Sequence, residues 1–264
     1  MGDTMMAALH GELEPFAWSR PEVAECDAYS LFHTRSSAMT WLADAAPDAY
    51  PGLWGMNDAG QDSAADIRRG VTRRLWFQVS LEGSAEDDRA LPIQPFLSCI
   101  GDVAARLGAL DLHALQLLVP VHSRVATGRP DAGLRAVGEL IGAAGWFGDT
   151  APQSARRVKV TMDTGQDPAV VSAAPGIPPW MRRWKQSVFL CDPAPAEEAG
   201  DAAEGLWPHL ADHLWTGPGR HRTTLCGTLR EWSLDGLGWL AAFAAEAAWQ
   251  NGVRTPLRLT VRAL

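Results

Sequence analysis

Apolar residues along this chain recur with two different spacings, and the switch between them marks out a strand–helix–strand unit that occurs twice. In the first unit a strand is predicted over 73–81, a helix over 95–107 and a strand over 113–122. Around that helix Ile93, Phe96, Leu97, Ile100, Val103, Ala104 and Leu107 fall three and four apart, on one face. The following strand alternates as Leu115, Leu117, Val119 and Val121. The second unit repeats the order over 221–230, 233–250 and 255–264. Its helix carries Leu237, Leu240, Phe243, Ala244, Ala247 and Ala248 on one face, and its last strand alternates as Leu257, Leu259 and Val261. Ser233 is an N-cap candidate, and Gly108 and Asn251-Gly252 are stop signals.

Upstream of each unit the same order is predicted again. A strand over 29–35 leads into a helix over 36–46 with Met39, Trp41 and Leu42 inward. A strand over 187–191 leads into a helix over 202–215 with Leu206, Leu210 and Leu214 inward. A further helix over 131–144 and strand over 157–162 extend the first half. The expected architecture is therefore α+β or α/β: two pseudo-symmetric β-α-β-α-β halves, each a sheet with helices on one face. Right-handed crossovers would make the strands parallel, whereas a ferredoxin-like order would interleave them. Residues 1–165 form the first half and 186–264 the second. The Pro-, Ala- and Gly-rich stretch within 166–185 reads as a linker.

At 264 residues and 47% hydrophobic, the chain is long enough to bury a full core. The start of the chain lacks the basic and apolar regions of a secretory signal, and no apolar run approaches the roughly 18 residues of a membrane span. A soluble, cytoplasmic protein is expected, with no membrane partner. The net charge of −8 argues against nucleic acid, whose phosphates call for excess positive charge. Cys26, Cys99, Cys191 and Cys226 form no CxxC pair and read as reduced, structural thiols. The abundance of Ala, Gly and Pro, with Lys159 and Lys185 the only lysines, fits a GC-rich, bacterial genome.

Candidate chemistry is thinly spread. The pairs Arg68-Arg69, Arg73-Arg74, Arg156-Arg157 and Arg182-Arg183, with Arg220-His221-Arg222, stand near predicted strand starts. If those strands ran parallel, their entry ends would collect into an anion site. His209 and His213 share a helical face but lack a third ligand, so no metal is expected. His221-Arg222-Thr223 matches one His-x-Thr element, where acid–base phosphoesterases need two. His33, His122, Asp192 and His221, at or near strand ends, are the candidate catalytic groups. No phosphate loop, dinucleotide fingerprint or nucleophile elbow is present, so no cofactor is expected.

Twelve tryptophans stand against two tyrosines. The segment from Pro178 to Trp184 alone combines indole, thioether and guanidinium groups, as a ligand pocket or interface does. Candidate ligand-binding residues are Trp180, Arg182, Arg183 and Trp184, with Arg73 and Arg74. Two functions are open. One is a small-molecule-binding protein, in its enzymatic form cofactor-independent, acting on an anionic or aromatic substrate in a Trp/Arg-lined cleft between the halves. The other is a non-catalytic binder of a protein partner, toxin-neutralising or chaperone-like.

Overall fold

The computed structural model describes residues 3–19, 27–43, 52–62, 73–82, 90–124, 132–149, 152–193 and 221–264. Its strands are β1 (Thr4–Pro15), β2 (Trp54–Gln61), β3 (Arg73–Leu81), β4 (Gly108–Val119), β5 (Arg156–Asp163), β6 (Phe189–Cys191), β7 (Arg222–Leu229) and β8 (Leu257–Ala263). They make one eight-stranded sheet in the order β2-β3-β1-β4-β8-β5-β7-β6, every pair antiparallel. The α-helices are α1 (Ala28–Ala38), α2 (Ile93–Leu107), α3 (Ala132–Ala143), α4 (Ala169–Ala173), α5 (Ile177–Arg182) and α6 (Leu234–Gln250). The protein is thus α+β, and the parallel alternative is overturned. None of the helices among the described residues is long and apolar enough to cross a membrane.

Strand periodicity sorts the two faces of the sheet. Met5, Ala7 and Leu9 on β1, Leu75, Phe77 and Val79 on β3, and Leu115, Leu117 and Val119 on β4 point into the core. Leu257, Leu259 and Val261 on β8 and Val158, Val160 and Met162 on β5 continue that layer. The helices cover it: α1 reaches β3 through Phe32 against Phe77, ring centroids 5.1 Å apart, and α2 packs against both α1 and α6. Helix α6 is buried at every position from Gly236 to Trp249, with α2, α3 and α5 against it. A helix apolar on all sides belongs in the interior, and the alanines on its second face let the neighbours approach. At Gly238 the approach to α2 is close, since a Cβ there would stand 3.0 Å from the Gln94 Cα. Ser233 caps α6 by accepting from the Gly236 N–H at 3.1 Å.

Several expected elements are corrected. The predicted strand over 29–35 is part of α1. Asp27 accepts the Ser30 N–H at 2.8 Å and starts a helix that buries Ala28, Phe32 and Ser36, four residues apart. Of the predicted helix over 36–46, residues 36–38 are the last turn of α1, and residues 44–46 lie outside the described residues. The chain turns at Thr40 with φ 58°, a conformation that a β-branched residue seldom adopts. Strands β1 and β2 were not among the expected elements. The linker reading of 166–185 is replaced by α4 and α5, which bury Val170, Ala173, Ile177, Trp180 and Met181. The helix expected over 202–215, with His209 and His213, lies outside the described residues, as do Cys26, Arg68, Arg69 and Arg220.

If the α2–α6 contact organises the core, a branched side chain at this close approach is destabilising. Gly238→Val should lower stability by about 1–3 kcal/mol, the usual cost of overpacking. Gly142→Ala on α3, where a Cβ meets nothing within 4 Å, should be neutral or stabilising. Urea midpoints of the two variants measure the contrast.

Candidate functional site

Helix α5 and the turn after it carry the one cluster that unites several predicted ligand-binding residues. Trp180 is buried with its ring 5.2 Å from Phe243 of α6, and Phe243 stacks on Trp239 at 4.8 Å. Trp184 meets Trp180 edge-on at 5.8 Å. The Arg183 guanidinium lies over both indoles, 5.4 Å from the Trp180 centroid and 4.8 Å from that of Trp184. Two ties hold the segment. Arg182 donates to the Asp192 carbonyl at 3.0 Å, and the Gln186 amide bonds both backbone groups of Phe189, at 2.7 and 2.9 Å.

The indole N–H groups divide into those with an acceptor and those without. Trp54 donates to Ser36 Oγ at 3.3 Å, Trp232 to the Leu112 carbonyl at 2.9 Å and Trp239 to the Leu140 carbonyl at 2.7 Å. Trp180 Nε1 and Trp184 Nε1 are both buried and have no acceptor, and the same holds for Trp249 Nε1 on α6; only the first two lie side by side next to one guanidinium. Leaving a buried donor unmet costs about 1–3 kcal/mol. Two such donors beside one guanidinium are chemically suited to an acceptor-rich, negatively charged group.

The remaining predicted residues are dispersed. Arg73 is on β3 near the opposite edge of the sheet, where it donates to Asp62 through Nε at 2.6 Å and Nη2 at 2.7 Å. Arg74 is its neighbour on that strand, so neither joins Trp180. The Arg pairs do not gather along one edge, because β3 and β5 start at one end of the antiparallel sheet and β7 starts at the other. Nor does the Trp/Arg cluster sit between the halves: α5 packs on α6 and on β6, the outermost strand.

The four catalytic candidates also stand apart. His33 is exposed on α1. His122 follows β4 with Nε2 3.9 Å from Asp3 Oδ1, and His221 precedes β7. Two strands, β8 and β5, separate β4 from β7, a span of about 14 Å at normal strand spacing. Asp192 accepts two bonds from Arg157, at 2.8 and 2.5 Å, which hold its carboxyl below the usual range. Burial pushes the Cys99 and Cys191 thiols up to about 11, so neither is a thiolate at neutral pH. Among the described residues, no three His, Cys, Asp or Glu side chains cluster to hold a metal.

A second polar feature escaped the sequence reading because it depends on β1. On the sheet face away from the helices, Ala8, Gln116, Thr260, Thr161 and Thr224 form one row across β1, β4, β8, β5 and β7. Gln116 donates to Thr260 Oγ1 at 3.2 Å, and the Thr161 and Thr224 hydroxyls are 3.4 Å apart. His10 stands next to this row, opposite Ala114, whose far neighbour is Arg262. Burial first, then the Arg73 and Arg262 charges, lower the His10 pKa from 6.5 to about 4 against the opposing effects of Gln116 and Asp62. His10 is therefore neutral at physiological pH. No family model matches the chain, and no curated protein matches it in sequence.

The buried imidazole makes stability depend on pH. Between about 4 and 6.5 the unfolded chain binds a proton that the folded chain refuses, so stability rises with pH across this window. His10 should remove on the order of 3 kcal/mol as the pH falls through it. Denaturation of wild type and His10→Gln from pH 7 to pH 4 should show a shallower decline in the variant; parallel curves would contradict the assignment.

Proposed function

We propose that this chain is a small-molecule-binding protein that takes an anionic, aromatic or carboxylate-bearing ligand at the Trp180–Arg183–Trp184 cluster. The observation that carries this reading is the pair of buried indole donors without acceptors, next to an arginine stacked on both rings. A carboxylate accepts both N–H groups and is neutralised by the guanidinium, while an aromatic body packs on the indoles. In a chain of net charge −8 such a site is locally cationic and selects anions by geometry rather than by overall attraction. We place this activity in the cytoplasm.

The same proposal includes an origin by duplication. The first half runs β-α-β-β-α-β in the spatial order β2-β3-β1-β4, and β5 to β8 repeat it as β6-β7-β5-β8. That order supports two ferredoxin-like units joined edge to edge through β4 and β8, the first within 1–165 and the second completed within 186–264. On this reading β5, α4 and α5 open the second unit, and α5 occupies the place that α1 holds in the first. The two units then differ in that only the second carries the Trp/Arg segment.

Benzoate titrated against intrinsic tryptophan fluorescence tests the function, with inorganic phosphate as the non-aromatic comparison. Trp184→Phe keeps an aromatic ring and removes the N–H, so it should weaken benzoate binding about threefold to tenfold. It should leave the melting temperature unchanged or raised, because an unmet buried donor is gone. Arg183→Gln should weaken binding about tenfold or more. A lower melting temperature with unchanged binding would make Trp184 a core anchor. Failure of both anions to bind would favour the protein-binding alternative, whose best surface is Trp146, 77% exposed after α3.

A further inference from the structure

Helices α1 and α2 leave a groove between them on the outside of the helical layer, far along the sheet from Trp180. It encloses about 570 Å³, within the range of about 300–1,000 Å³ usual for small-molecule sites. From α1 it is lined by Leu31, Thr34, Arg35 and Ala38, which recur every three and four residues, and from α2 by Asp102, Val103, Ala105 and Arg106. Leu31, Ala38, Val103 and Ala105 make the groove apolar, and the two alanines leave it room.

The charges on it are unequal. Arg35 is taken up by Asp102, with Nε and Nη2 both 2.6 Å from Oδ2. Arg106 stands one turn beyond Asp102 on the same helix and has no carboxylate partner among the described residues. The groove thus offers an apolar channel with one unneutralised guanidinium at its rim. Its concave shape suits a single chain-like molecule, whereas binding a bilayer would call for protruding apolar side chains.

We propose that the α1–α2 groove is a second ligand site, which takes a free medium-chain carboxylate with its chain along Leu31, Ala38, Val103 and Ala105 and its head at Arg106. This proposal is independent of the Trp180–Trp184 site. The ion pair makes a specific demand: the Asp102 carboxylate repels the head group and holds Arg35 away from it, so removing its charge must improve binding.

Calorimetric titration with decanoate, kept below the concentration at which it forms micelles, tests the site on the full chain. Wild type should bind decanoate and not decyltrimethylammonium, which has the same chain and the opposite charge. Arg106→Glu should weaken decanoate about tenfold or more, and Ala105→Trp, which fills the groove, should abolish binding. Asp102→Asn should strengthen it severalfold. Trp184→Phe should leave it unchanged, which separates this site from the benzoate site. Circular dichroism confirms that each variant is folded. Absence of decanoate binding to wild type, equal affinity for the cationic chain, or weaker binding by Asp102→Asn would overturn the proposal.

Discussion

The packing of α6 against α2, above the seam where β4 pairs with β8, is the contact on which the rest of the structure depends. Leu115, Leu117 and Val119 face Val261, Leu259 and Leu257 across that seam, all fully buried. Without that seam β4 and β8 would each be an edge strand and one face of α2 and of α6 would be open to water; the contact buries both. The position of α6 sets other features. A helix buried all round has no solvated side for a charge, so Glu246 is ion-paired with Arg124 and accepts from Gln250 at 2.8 Å. Such a pair adds little net stability, but breaking it on one side leaves a buried charge unmet. Trp249 is held between the guanidinium groups of Arg124 and Arg254, at 4.4 and 4.5 Å. Arg254 also donates to the carbonyls of Trp249 and Val253, which ties the end of α6 to the turn that follows it.

From α6 the aromatic packing runs outward through Trp239, Phe243 and Trp180 to Trp184, and the polarity of the environment changes along that line. Trp239 is wholly buried and its N–H is satisfied, so it serves packing alone. Trp180 and Trp184 keep the packing and lose the acceptor. A side chain that gives up a hydrogen bond inside a well-packed layer is held there by its neighbours, here Phe243, the Arg182 tie and the Gln186 clamp. The proposed ligand site requires donors fixed in this way by a rigid scaffold.

Parts of this were legible in the sequence and parts were not, for physical reasons. Helices α2 and α6 and strands β4 and β8 carry long, regular apolar spacings, and those elements form the central layer. Strand β1 was hidden because Met5, Met6, Ala7, Ala8 and Leu9 run without a polar break: Ala8 is as buried on one face of the sheet as Leu9 is on the other. Helix α1 was misread because Tyr29, Leu31 and His33 alternate like a strand, while the four-residue repeat of Ala28, Phe32 and Ser36 contains one large apolar residue. The Trp180–Trp184 segment stood out by composition. What distinguishes its indoles from those of Trp232 and Trp239 is a missing acceptor, which only tertiary structure reveals. The groove between α1 and α2 was invisible for the same reason, since it needs α1 to be a helix.

Residue-resolved native-state hydrogen exchange tests most directly whether the two halves share one cooperative core. The amides of Leu115, Leu117, Leu259 and Val261 at the seam should exchange only through global unfolding, with one common free energy that β3 and β5 share. Exchange of the β5, β7 and β8 amides through a separate, lower-energy opening, while β1, β3 and β4 stay protected, would show two independently stable halves and contradict the account.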